Sequence, residues 1–76
     1  MPTLFFYSNP DCHLCDEARE LLHGRAAGYQ VRERDIEGDL ALTYHYGVRI
    51  PVLKRDDTGE ELGWPFDASA LEAFLA

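Results

Sequence analysis

Lysine is almost missing from this chain. Lys54 is the only one in 76 residues, and seven basic side chains face fourteen acidic ones, a formal charge of −7. A surface that tracks phosphates needs clustered Lys and Arg. Here the arginines are scattered among acids, so neither nucleic acid nor an anionic membrane surface is an expected partner. The acidity favours solubility and a basic partner face. Long apolar runs are missing too. No stretch approaches the ~20 residues of a membrane span. Met1–Tyr7 lacks both the basic start and the apolar length of a secretory leader. The expected location is the cytoplasm.

Cysteine is scarce, with only Cys12 and Cys15. Two residues cannot build a disulfide-stapled scaffold, and in the cytosol a cysteine pair is more often catalytic or metal-binding than structural. A structural zinc site takes four ligands, often as two close pairs. There is no second Cys pair, His23 and His45 are not an H-x₃₋₅-H pair, and His13 lies inside the Cys motif. His23 and His45 read as surface residues. No metal site is expected within one chain; a metal or iron–sulfur cluster held between two chains stays open.

What is present is enough for one domain spanning residues 1–76. Apolar residues make up 46% of the chain, including 4 Phe, 4 Tyr and 1 Trp, which argues against disorder. A core of this size supplies only about 3–5 kcal/mol of net stability.

Thr3–Tyr7 reads as a buried strand, and Ser8–Asp11 as a turn. A helix begins at Cys12. Leu14, Ala18, Leu21 and Leu22 form its apolar stripe, Asp16 and Glu17 suit its positive end, and His23-Gly24 closes it. Tyr29–Ile36 reads as a charged edge strand. Asp39 caps a short helix over Leu40–Tyr46 that ends at Gly47. Val48–Leu53 reads as a strand containing Pro51, Asp56–Gly59 as a hairpin turn, and Glu60–Trp64 as the return strand. Asp67 caps a last helix with Leu71, Phe74 and Leu75 inward. The first three strands look like a crossover α/β unit and the last two like a hairpin. The expected fold is α/β: a four-stranded mixed sheet in the order 2-1-3-4, with three helices on its two faces.

Cys12-His13-Leu14-Cys15 sits where the first strand hands over to the first helix. Two intervening residues at a helix start bring the sulfurs within disulfide reach. Free backbone N–H groups at a helix N-terminus stabilise a thiolate, the nucleophile of disulfide exchange, and a second thiol can resolve the mixed disulfide. Cys12, nearer the helix end, is the expected attacking thiol. Cys15, one turn further in and more buried, is the expected resolving thiol. Two plainer roles compete. A fixed disulfide closing a four-residue ring stabilises by only about 2 kcal/mol before strain, and the cytosol would reduce it. Reduced thiols could also simply fill core. His13, when protonated, would favour the Cys12 thiolate, whereas Asp11 and Asp16 oppose it.

With these residues in place, the chain resembles the glutaredoxin family of the thioredoxin superfamily, over nearly its whole length. The likeness rests on Cys12-His13-Leu14-Cys15 after a first strand, Ile50-Pro51 later, and Gly63 to Asp67 before the last helix. It is greatest to a group of very short bacterial glutaredoxin-like proteins. They share segments like Arg34-Asp35-Ile36, Tyr46-Gly47-Val48-Arg49-Ile50-Pro51-Val52 and Trp64-Pro65-Phe66-Asp67. The resemblance implies a thioredoxin-like fold and thiol–disulfide oxidoreductase activity. It implies a cis Ile50–Pro51 bond beside the thiols, and pairing of the Ile50 backbone with an extended substrate. It also places Gly63, Trp64 and Asp67 where glutathione's γ-glutamyl end binds. Trp64 equally suits the core, and Asp67 a plain N-cap. Two departures weaken the case for glutathione: Asn9 stands where a basic residue is usual, and His13-Leu14 replaces Pro-Tyr. A monomer is expected, acting on a disulfide-containing protein or a low-molecular-weight thiol. No cofactor is required, and glutathione is a candidate co-substrate. The rival is a thioredoxin-fold module that binds a partner without turnover.

Overall fold

Thr3–Ser8 forms the central strand β1 because its unbroken apolar run can be buried on both faces. In a computed structural model describing residues 1–76, six further elements follow. They are α1 (His13–Leu22), β2 (Gln30–Asp35), α2 (Leu40–Tyr46), β3 (Val52–Arg55), β4 (Glu61–Gly63) and α3 (Ala68–Leu75). The four strands lie in the order β2-β1-β3-β4. β1 pairs in parallel with β2 (Tyr7 opposite Arg34) and antiparallel with β3 (Tyr7 opposite Val52), and β3 pairs antiparallel with β4 (Val52 opposite Gly63).

The period of two along the strands splits the core into two layers. Leu4, Phe6 and Leu53 face one side, where Cys15, Ala18 and Leu22 of α1 meet Leu71 of α3 and Phe66. Tyr7 and Val52 face the other, against Ile36 and Tyr46. α1 and α3 thus cover one face and α2 the other, completing the thioredoxin-like arrangement of the glutaredoxin type. No helix is long and apolar enough to cross a membrane.

Several details differ from the sequence expectations. Only β1-α1-β2 is a parallel crossover. The end of β2 (Asp35 opposite Ser8) and the start of β3 (Val52 opposite Tyr7) lie at the same edge of the sheet, so β3 must run back against β1. β3 starts after Pro51, not at Val48. The Arg49 and Ile50 N–H groups both donate to the Tyr46 carbonyl (2.8 and 3.1 Å), which continues the helical turn up to a proline that cannot donate to a ladder. Gly47 is accordingly right-handed (φ −51°, ψ −37°) and is no left-handed cap. Gly24, at φ +79°, does provide that conformation after α1. On α1 the buried arc runs through Cys15, Ala18 and Leu22. At about 100° per residue Leu14 and Leu21 fall on its flank, and Leu14 is 42% exposed.

The chain end is held by two side chains from elsewhere in the fold. The Tyr29 hydroxyl donates to the Leu75 carbonyl (2.8 Å) and Arg55 Nη1 to the Phe74 carbonyl (2.8 Å). These donors satisfy carbonyls that a helix C-terminus leaves free.

Candidate active site

β1 delivers the chain to a turn built on Asn9. The Asn9 side chain accepts from the Asp11 N–H (3.1 Å), and its carbonyl accepts from the Cys12 N–H (3.2 Å). Asn9 therefore shapes the loop, at the position where the family it resembles usually carries a basic residue. Cys12 is the N-cap of α1, in extended conformation (φ −104°, ψ 102°), and its Sγ accepts a 3.0 Å hydrogen bond from the Cys15 N–H. The sulfur thus stands in for a capping oxygen, at the positive end of the helix. Cys12 and Cys15 are joined as a disulfide, with Cα atoms 5.1 Å apart. Cys15 is fully buried in the α1–α3 core layer, while Cys12 is half-buried at its margin. The two sulfurs differ in exposure as their positions on the helix imply.

The remaining expected site residues fall in three places. His13 and Asp11 flank Cys12 on the surface. The His13 side chain is 89% exposed, with Nε2 3.9 Å from Glu17. Pro51 is buried, and the Ile50–Pro51 peptide bond is cis, as is Trp64–Pro65. The Pro51 carbonyl accepts from the Trp64 N–H (3.1 Å), which links the proline turn to the Gly63–Asp67 segment. Trp64 is half-buried against the α1–α3 core layer and meets Phe66 edge-on, with ring centroids 4.9 Å apart. Gly63 is exposed, and a Cβ there would meet nothing within 4 Å. Asp67 is the N-cap of α3, its Oδ1 accepting from the Ala70 N–H (2.8 Å). Cys12, Ile50 and Trp64 all border the same core layer.

Two polar networks around this edge were not anticipated. Tyr46 stacks on Tyr7 (4.3 Å between centroids) and donates its hydroxyl to Glu61 Oε2 (2.6 Å). Arg49, one residue before Ile50, donates to Glu61 Oε1 (2.8 Å) and lies over the Tyr46 ring. The Tyr46 hydrogen bond, then Arg49, holds the Glu61 carboxyl below its ordinary range, while burial and Glu61 push the Tyr46 phenol upward. On the other side of β1, Arg19 of α1 grips Glu33 of β2 with two hydrogen bonds (2.6 and 3.1 Å), and the Ser8 hydroxyl adds a third (2.9 Å). Arg19 thereby lowers the Glu33 pKa. The partners are 12 or more residues apart, and no local pattern announces them. Only the Tyr46–Val52 segment, which holds Tyr46 and Arg49, marked part of the first network. No group of three or more His, Cys, Asp or Glu side chains is placed to hold a metal.

Residues 3–76 match the family model described as a glutaredoxin-like domain (DUF836). The chain belongs to this family. It is similar to protein XcR50 from X. campestris. The X-ray structure of that protein has 47% sequence identity and a TM-score of 0.83, over 95% of this chain and 93% of that one. It is also similar to protein Ne2328 from Nitrosomonas europaea, in a solution structure with 28% identity and a TM-score of 0.73, over 99% of this chain and 92% of the other. No curated protein matches the chain. In this member of the glutaredoxin-like family, the cysteine pair lies at disulfide distance on the first turn of α1.

Proposed function

We propose that this chain is a thiol–disulfide oxidoreductase in which Cys12 attacks and Cys15 resolves. The observation that carries the reading is the asymmetry of the pair: Cys12 caps α1 at the surface margin, and Cys15 is buried within bonding reach behind it. In the reduced protein the Cys12 thiolate attacks one sulfur of a substrate disulfide. A Cys12–substrate disulfide forms, the substrate S–S bond breaks, and the departing sulfur takes up a proton. Cys15, losing its own proton, then attacks Cys12 Sγ. This forms the Cys12–Cys15 disulfide and releases the second substrate thiol. The protein gives up two electrons and two protons, and the substrate gains both.

The α1 N-terminus supplies the field that favours the thiolate; the Asp11 charge beside it acts against the thiolate, and His13 favours it only when protonated. Ile50, Pro51, Gly63 and Trp64 form the substrate edge. The Ile50 N–H is committed to Tyr46, but the Ile50 carbonyl accepts no hydrogen bond within the chain, so an extended substrate would dock through that carbonyl. Open space over Gly63 leaves room for close approach. Asp67 Oδ1 serves the helix cap, which leaves Oδ2 for a ligand. Glutathione is a candidate co-substrate, and the site is assigned to a monomer acting in the cytoplasm.

The test compares wild type with Cys12→Ser in reduction of insulin or of a mixed disulfide. Loss of turnover in the variant is expected. Equal turnover would defeat the enzyme reading and leave a module that binds without exchange.

A further inference from the structure

The exposed large apolar side chains are unevenly placed. Four of six lie on elements that meet the edge of the sheet carrying the thiols: Leu14 within the Cys motif on one face, and Leu40, Tyr44 and Val48 along α2 and its final turn on the other. Met1 and Val31 are elsewhere. α2 belongs to that edge because β2 enters it opposite Ser8 and β3 leaves it opposite Tyr7. Leu40, Tyr44 and Val48 are spaced by four residues and are 88%, 94% and 100% exposed. The right-handed turn through Gly47 keeps Val48 in line with the other two. Nothing in the fold uses them: the buried face of α2 is made by Tyr46, with Leu42 beside it. The stripe runs directly into Arg49, Ile50 and Pro51.

We infer that Leu40, Tyr44 and Val48 dock a basic polypeptide carrying the disulfide that Cys12 attacks. The inference rests on the dithiol reading above and specifies its substrate class.

Size argues for a brief encounter and against a second copy of this chain. Three side chains of this kind offer on the order of 400 Å² of apolar surface. A lasting interface takes about 800 Å² per partner, whereas redox encounters sit at the small end. Charge argues for a basic partner. Asp11, Asp35, Glu37 and Asp39 lie at this edge outside the ion pairs, against the unpaired Arg34 opposite Tyr7, so the free charge there is net acidic. The chain as a whole carries −7. Such a rim attracts Lys and Arg and repels an acidic partner. A polypeptide is long enough to pass round the sheet edge from the stripe to Cys12; a small disulfide is not.

The test uses pre-reduced protein in a single turnover. The substrates are a cystine-bridged peptide with Lys and Leu on both sides of its disulfide, and bis(2-hydroxyethyl) disulfide. Wild type is compared with L40Q/Y44Q/V48T, whose three sites are exposed and support no core. The rate with the peptide should fall about tenfold in the variant, equivalent to 1.4 kcal/mol. The rate with the small disulfide should stay within about twofold. Raising salt from roughly 50 to 500 mM should slow only the peptide reaction. Equal peptide rates in both proteins, or a parallel fall with both substrates, would overturn the inference. So would a wild type that reduces the small disulfide but not the peptide, and in that case the dithiol reading survives. A wild type that reduces neither removes the reading and the inference together. A wild-type dimer in sedimentation that the variant breaks would give the stripe to a second copy and also overturn it.

Discussion

The Tyr46 hydroxyl donates a 2.6 Å hydrogen bond to Glu61, bridging the end of α2 to β4 across the turn that contains Ile50 and Pro51. A hydrogen bond to a charged acceptor contributes about 1.5–3 kcal/mol, a large share of what so small a domain has. Tyr46→Phe should therefore lower the urea midpoint by an amount equal to about 2 kcal/mol. An unchanged midpoint would mean that water replaces the phenol without loss.

Glu61 and Glu33 both sit below the usual carboxylate value of 4.5, held down by Tyr46 and by Arg19 respectively. A depressed folded value means that the stabilisation is complete above the unfolded value. It is then lost as pH falls through the lower folded value. Stability should decline from roughly pH 5 toward pH 3. Denaturant midpoints across this range should fall less steeply for Glu61→Gln than for wild type. Parallel slopes would show that the carboxylates responsible lie elsewhere.

Asp67 can act as helix cap, as ligand for a thiol substrate, or as both, and two substitutions separate the roles. Asp67→Ala removes the acceptor for the Ala70 N–H and should cost about 1 kcal/mol, while Asp67→Asn, an equally good cap, should cost almost nothing. If the charge also holds a substrate amine, Asp67→Asn should raise the KM for glutathione disulfide with kcat unchanged. An unchanged KM assigns Asp67 to the cap alone.

Leu53 is 1% exposed at the centre of β3. Leu53→Ala removes packing worth about 2–5 kcal/mol, as much as the whole domain is expected to possess. The variant should be largely unfolded by circular dichroism at 25 °C. A cooperative melt close to that of wild type would imply a far more stable core than 76 residues usually build.

Chemistry that is local in sequence was legible before the structure. Asp39 and Asp67 cap their helices, Gly24 takes the left-handed position, and the Cys pair falls on the first turn of α1, because each depends on a handful of neighbouring residues. The start of β3 was less legible. Val48, Arg49 and Ile50 alternate as a strand would, and only the hydrogen bonds to Tyr46 show the helix winding on to Pro51. Leu14 misled for a related reason: its spacing fits the apolar stripe, but Cys15 draws the buried arc to one side. The pairs Tyr46–Glu61 and Arg19–Glu33 span 15 and 14 residues. They depend on which strands become neighbours, and that is settled by the whole sheet.

The most direct test of the central claim is to mix Cys15→Ser with a disulfide substrate and identify the adduct by mass spectrometry. Attack by Cys12 with no thiol behind it to resolve the product predicts a stable mixed disulfide on Cys12, and none in Cys12→Ser. An adduct forming as readily on Cys15 when Cys12 is replaced, or no adduct in either variant, would contradict it.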